Sequence, residues 1–149
     1  IKLGVPLLIG AGVSACPLIC AAHDMWLLDS VADKKFKTGT GRFDTRVMER
    51  LRERVFCKVG AEGVYCAALP GQGLGVAIKV DDGNNARAAE VVMAAVIEAL
   101  VPLQADEPAL LRSLSEPTLR NWNGIEVGRL RASAALRGAL SAQSAAGAV

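Results

Sequence analysis

The chain has 149 residues, 52% of them hydrophobic and 21% charged, with a formal net charge of +2. These proportions exclude an intrinsically disordered segment, and a small charge without a long basic run excludes a nucleic-acid-binding tail. The length suits one domain with a substantial core.

Taken in chain order, the sequence opens on Ile1, so the chain is expected to be part of a longer protein. Leu3 to Ala22 carries no charge and is long enough to cross a bilayer as a helix. Gly4, Gly10 and Gly12 weaken such a helix, and Pro6 and Pro17 break it. A signal-peptide reading has Lys2 and Ala21-Ala22 in its favour but no clear cleavage pattern. The expected outcome is a buried soluble segment with no membrane contact. His23 is the one histidine, and side chains adjacent in sequence, as His23 and Asp24 are, rarely converge, so neither an acid–base pair nor a metal site is expected there. Cys16, Cys20, Cys57 and Cys66 include no Cys-x-x-Cys pair, which fits reduced thiols in a cytoplasmic protein. A Cys57–Cys66 cross-strand disulfide would need an oxidising compartment. Asp33 to Arg42 is a polar, glycine-punctuated loop, and its Gly39-Thr40-Gly41 lacks the residues of a phosphate-cradling loop.

Asp44 suits the N-cap of a helix running to Arg54, with Val47, Met48 and Leu51 on the apolar face. Val55–Lys58, Val64–Ala68 and Leu74–Val80 then read as three strands separated by Gly60-Ala61-Glu62-Gly63 and Pro70-Gly71-Gln72-Gly73. Loops this short join antiparallel neighbours, which predicts a meander. Phe56, Val64, Ala68 and Val76 are expected to share one of its faces. Asp81-Asp82-Gly83-Asn84 opens a helix from Asn85 to Leu100, with Arg87, Glu90 and Glu98 outward and Pro102 closing it. The acidic pair suits the helix dipole, and a divalent metal there would need further carboxylates. Lys79 is expected to pair with Asp81 or Asp82 at the surface. A short helix from Glu107 to Leu114 follows, with Asp106 as its cap. Next come the Asn121-Trp122-Asn123-Gly124 turn and a strand from Ile125 to Leu130. The Ala/Ser/Gly-rich end from Arg131 is expected to be frayed.

The blocks Thr40-Gly41-Arg42-Phe43-Asp44-Thr45, VFCKVGAEGVYCAALP, GLGVAIKVDDG and LRNWNGIEVGRLR occur in that order. Together they resemble the C-terminal half of the bacterial L-asparaginase II family, the serine-type, thermolabile group whose fold is similar to serine β-lactamases and glutaminases. The resemblance implies an α/β protein of the α+β type, an antiparallel sheet with helices packed on it. It divides the chain into a divergent apolar segment 1–37, a family-like region 38–131 and a flexible tail 132–149. It implies hydrolysis of L-asparagine to L-aspartate and ammonia. The family's serine nucleophile belongs to a Ser-x-x-Lys element in the other half, as does most of a zinc site. Ser30 precedes Val31-Ala32-Asp33, Ser133 precedes Ala134-Ala135-Leu136, and no Ser-x-x-Lys occurs in the chain. The chain is therefore expected to be a fragment that is inactive alone, with no cofactor or metal of its own.

Lys58-Val59-Gly60 resembles the Lys-Thr-Gly element that borders the active site of that fold, with Val59 in place of the threonine. Lys58 is the catalytic candidate, and Gly60 and Glu62 are the substrate-binding ones. Independently of the resemblance, a lysine ending an apolar strand either snorkels to water or is held by a partner charge. The implied partner is a small amino-acid substrate, in a protein expected to be homo-oligomeric. The rival readings are a non-catalytic module kept for subunit contacts and a glutaminase-like acyl hydrolase.

Overall fold

The computed structural model describes residues 7–11 and 41–146, which fall into two compact units divided after Asn85. His23, Asp24, Cys16, Cys20 and most of the loop 33–42 lie outside the described residues.

Among the described residues, the first unit is a four-stranded antiparallel sheet with one α-helix. Its strands are β1 (Leu7–Ala11), β2 (Phe56–Val59), β3 (Val64–Leu69) and β4 (Leu74–Lys79), in the spatial order β1-β4-β3-β2. The predicted meander is therefore present as β2-β3-β4, each strand antiparallel to the next. The uncharged N-terminal stretch supplies an additional edge strand, paired from Leu7 opposite Ile78 to Ala11 opposite Leu74. Gly10, which would weaken a helix, is compatible with so short an edge strand. Among the described residues, no helix is long and apolar enough to cross a membrane.

Register assigns the sheet faces. Phe56 lies opposite Ala68, and Lys58 opposite Cys66, whereas Val76 lies opposite Ala67. Because side chains alternate, Val76 belongs to the other face from Phe56, Val64 and Ala68, contrary to the grouping expected from the sequence. Helix α1 (Phe43–Leu51) packs on the face that carries Tyr65, with the Phe43 and Tyr65 rings edge to face at 5.4 Å. Val47, Met48 and Leu51 are buried, as their spacing requires. Asp44 is not the N-cap. That position is Arg42, which makes no side-chain cap bond, and Asp44 lies buried inside the first turn.

The β2–β3 connection is made by Glu62 and Gly63 in succession at φ +55° and +72°, the left-handed pair of a type I′ hairpin turn. The Val64 amide donates to the Ala61 carbonyl, closing the turn. Val80 and Gly83 come so close that a Cβ on Gly63 would stand 2.8 Å from the Val80 carbonyl oxygen. Only a residue without a side chain fits here.

The second unit begins within a π-helical turn (Asn85–Ala89) that runs into α2 (Glu90–Leu100). Residues 91–97 of α2 are all buried, so this helix has no broad polar face. Its sequence, apolar on every side between Glu90 and Glu98, is that of an interior helix. It ends where Val101, ahead of Pro102, turns extended. Helix α3 (Glu107–Ser115) and helix α4 (Ala134–Ala146) pack against it. Asp106 makes no side-chain cap; instead the buried Glu107 carboxylate accepts from the Gln104 amide at 2.7 Å. Strands β5 (Thr118–Arg120) and β6 (Glu126–Arg129) form a separate hairpin.

Residues 134–146, expected to be a flexible tail, are helical. Ser133 caps the helix by accepting from the Leu136 amide at 3.2 Å, alanine favours it throughout, and Leu140 is buried.

Gly63→Ala is expected to destabilise the chain by about 2–4 kcal/mol, the sum of left-handed strain and overpacking. Gly73→Ala has the same handedness at φ +61° but open space around the added methyl. It should cost only about 1–2 kcal/mol. Urea denaturation of the two variants checks the difference, and equal costs would contradict the close approach at Gly63.

Candidate functional site

Lys58 stands on β2, an edge strand of the sheet among the described residues, with its side chain 29% exposed. An edge position lets a long side chain turn around the end of the sheet. Its ammonium lies 4.0 Å from Oδ2 of Asp44, whose carboxylate is fully buried. The two are brought together by the packing of α1 on β2, where the Cys57 thiol also reaches the Asp44 carbonyl oxygen at 3.9 Å. Arg42 contributes a second cation, its Nε 3.6 Å from Oδ1 of the same carboxylate. Of the two behaviours open to Lys58, the structure shows the one with a partner charge.

Asp44 is the residue that sequence reasoning placed wrongly. An aspartate just before an apolar helical pattern is ordinarily a cap. The available signal was Lys58 itself: a cation on a largely apolar strand calls for a buried anion nearby.

Gly60 and Glu62 sit on the turn that follows Lys58. The Gly60 amide donates to the Val64 carbonyl at 2.8 Å, and the Gly60 carbonyl accepts from Asn85 Nδ2 at 3.1 Å. Glu62 is exposed, and its backbone carbonyl accepts from the Lys79 ammonium at 2.5 Å. Lys79 also donates to the Val80 carbonyl at 3.0 Å. Lys79 therefore braces the hairpin turn instead of pairing with Asp81 or Asp82. The reason is geometric: β4 carries it alongside β3, with Val64 directly opposite. Asp82 serves its own loop, with Oδ1 accepting from the Asn84 amide at 2.9 Å. The Val80 amide donates to the Gly63 carbonyl at 2.9 Å, so the 60–63 turn and the 80–85 loop are tied by several bonds. Tyr65 is packed in the core.

Cys66 lies across from Lys58, while Cys57 is opposite Ala67. This offset puts the two cysteines on opposite faces, and both are thiols rather than a disulfide. Among the described residues, no three of His, Cys, Asp and Glu come together in a way that could hold a metal ion. Ser113 is exposed on α3, with its hydroxyl donating to the Leu110 carbonyl at 2.6 Å.

What the arrangement offers chemically is a partly exposed ammonium at a sheet edge, backed by a buried carboxylate and followed by a rigidly tied turn. Comparison with protein families matches the chain to the model described as L-asparaginase II over residues 31–132. This spans more than half of the chain and includes Asp44, Lys58 and the whole tied turn. No curated protein matches the chain.

Lys79→Met is expected to loosen the turn and cost about 1 kcal/mol, the scale of a net hydrogen bond at an exposed site. Amide exchange at Val80 and Val64 should speed up with it. Unchanged exchange at both amides would mean that Lys79 does not hold the turn.

Proposed function

The chain belongs to the L-asparaginase II family, and from that premise we propose that it forms one wall of the active site of an amidohydrolase acting on L-asparagine. The observation that supports this reading is that the family match takes in Lys58 together with its buried carboxylate and the turn beyond it.

In the proposed reaction a serine attacks the side-chain amide carbonyl of asparagine, ammonia leaves, and water hydrolyses the acyl-enzyme to aspartate. Lys58 is assigned the charge work. Its ammonium either meets the substrate carboxylate or favours proton transfer at the serine. Gly60 and Glu62 are proposed to border the substrate along the turn. Val59 supplies no hydroxyl, so positioning at this edge falls to Lys58 and to backbone groups. The nucleophile is assigned to the other half of the family fold, because the 149 residues contain no Ser-x-x-Lys. A cytoplasmic, homo-oligomeric enzyme without nucleic-acid partners completes the proposal.

Two experiments test it. The purified 149-residue chain is expected to release no ammonia from L-asparagine above buffer. Release that a serine-reactive reagent abolishes would overturn the assignment and direct attention to Ser14, Ser30 and Ser113. In the active enzyme that carries this segment, Lys58→Met should lower turnover by roughly two to three orders of magnitude, the usual cost of one charge-stabilising group. Arg112→Met, at a well-exposed position, should stay within about threefold of the parent. Equal activity in the two variants would remove Lys58 from the site.

A further inference from the structure

The two oxygens of the Asp44 carboxylate are not equivalent. Oδ1 accepts from the Thr45 amide at 3.1 Å and has the Arg42 guanidinium 3.6 Å away. Oδ2 is fully buried and, among the described residues, accepts no hydrogen bond. What it faces is the Lys58 ammonium at 4.0 Å. Buried carboxylate oxygens are normally satisfied, and one left short is costly unless a cation compensates it. A movement of roughly 1 Å would turn the contact into a charge-assisted hydrogen bond of ordinary length.

We propose that Asp44 is a positioning residue: its buried Oδ2 holds the Lys58 ammonium at the sheet edge in the orientation that meets substrate. For its chemistry this rests on the amidohydrolase reading, whereas the pairing itself rests on geometry alone. Three features make the arrangement directional. The carboxylate is fixed, because it sits in the first turn of α1 with Phe43 and Val47 buried beside it. The lysine projects from a strand backbone whose register with β3 is set by the type I′ turn at Glu62–Gly63. The exposure is one-sided, with the lysine partly open and the aspartate closed to water. The lysine is therefore held by a carboxylate closed to water while its own side chain is partly exposed. Asp44 does not touch substrate in this scheme; it acts through Lys58.

The test is a double-mutant cycle read in two ways. In thermal unfolding of the chain, Lys58→Met leaves the buried Oδ2 without its cation, Arg42 lying beside the other oxygen, and should lower the midpoint by about 5 °C or more. Asp44→Asn added to it should recover at least half of that loss, because no charge is then left buried. In the active enzyme, Asp44→Asn alone should lower kcat by about tenfold or more with KM within about threefold. In the Lys58→Met background it should add less than about twofold. Coupled unfolding with full turnover in Lys58→Met would leave the pair standing and overturn the amidohydrolase role of Lys58, and with it the positioning role. Uncoupled unfolding together with additive losses in kcat would overturn the pair while leaving that role intact. Equal destabilisation of the single and double variants would likewise overturn it, since the cost would then not be a stranded charge.

Discussion

The close approach of Gly63 to Val80 and Gly83 is the constraint on which the first unit turns. It brings the β2–β3 hairpin turn against the loop leaving β4, and three further bonds then become available. The Val80 amide reaches the Gly63 carbonyl, the Lys79 ammonium reaches the Glu62 carbonyl, and the Asn85 amide group reaches the Gly60 carbonyl. With both ends of the turn held, β2 cannot slip against β3 without breaking several bonds at once. That register places Lys58 opposite Cys66 on the edge strand, and the packing of α1 on the same strand then brings it to Asp44. A glycine with no chemistry of its own thus determines where the charged group stands.

Charge distribution at the site follows from burial rather than from the number of ionic groups. Arg42, Asp44 and Lys58 sum to a single positive charge, but the carboxylate is wholly inside while both cations reach water. An anionic ligand approaching the edge would meet the cations first. The Asp44 carboxylate, screened from solvent, exerts its field mainly on its immediate neighbours. A surface pair of the same residues would be worth little, because water would screen both partners equally.

Much of the fold was legible because it is locally encoded. The β2-β3-β4 meander could be read from strand composition and two glycine-containing turns, and those turns formed where the glycines stand. The stop of α2 at Pro102 was equally local. Other features depend on tertiary context. Leu7–Ala11 looks like an uncharged stretch of any kind until β4 offers it an edge. Asp44 has the composition and place of a cap, and only the packing of α1 on β2 makes it a buried counter-charge. The C-terminal helix was hidden by its low complexity; Ser133 as cap and Leu140 as an anchor are single residues in an Ala-rich run. For the candidate site, Lys58 could be singled out from an ionic residue on an apolar strand, whereas its partner could not be found from spacing.

The sequence blocks that carried the family resemblance acquire a physical meaning once they are placed in the fold. Of the first block, Arg42 to Thr45 provides the start of α1 and the buried carboxylate. Val55 to Pro70 provides Lys58, the type I′ turn and the strand that receives the Phe43 ring. Gly73 to Gly83 provides the lysine and the backbone groups that brace that turn. Three blocks separated in sequence therefore build one local device in the first unit, in which none of the three is sufficient. The fourth block builds the β5–β6 hairpin of the second unit, whose turn is closed by Asn121 Oδ1 accepting from the amides of Asn123 and Ile125. Its apolar residues Leu119, Trp122, Ile125 and Val127 are exposed, so its conformation is secured by its own turn chemistry and strand pairing rather than by burial. Turn residues need to be of particular types to work at all, whereas core positions accept many apolar side chains. That difference explains why the recognisable blocks are centred on turns and charges, while the helices between them were read only as patterns.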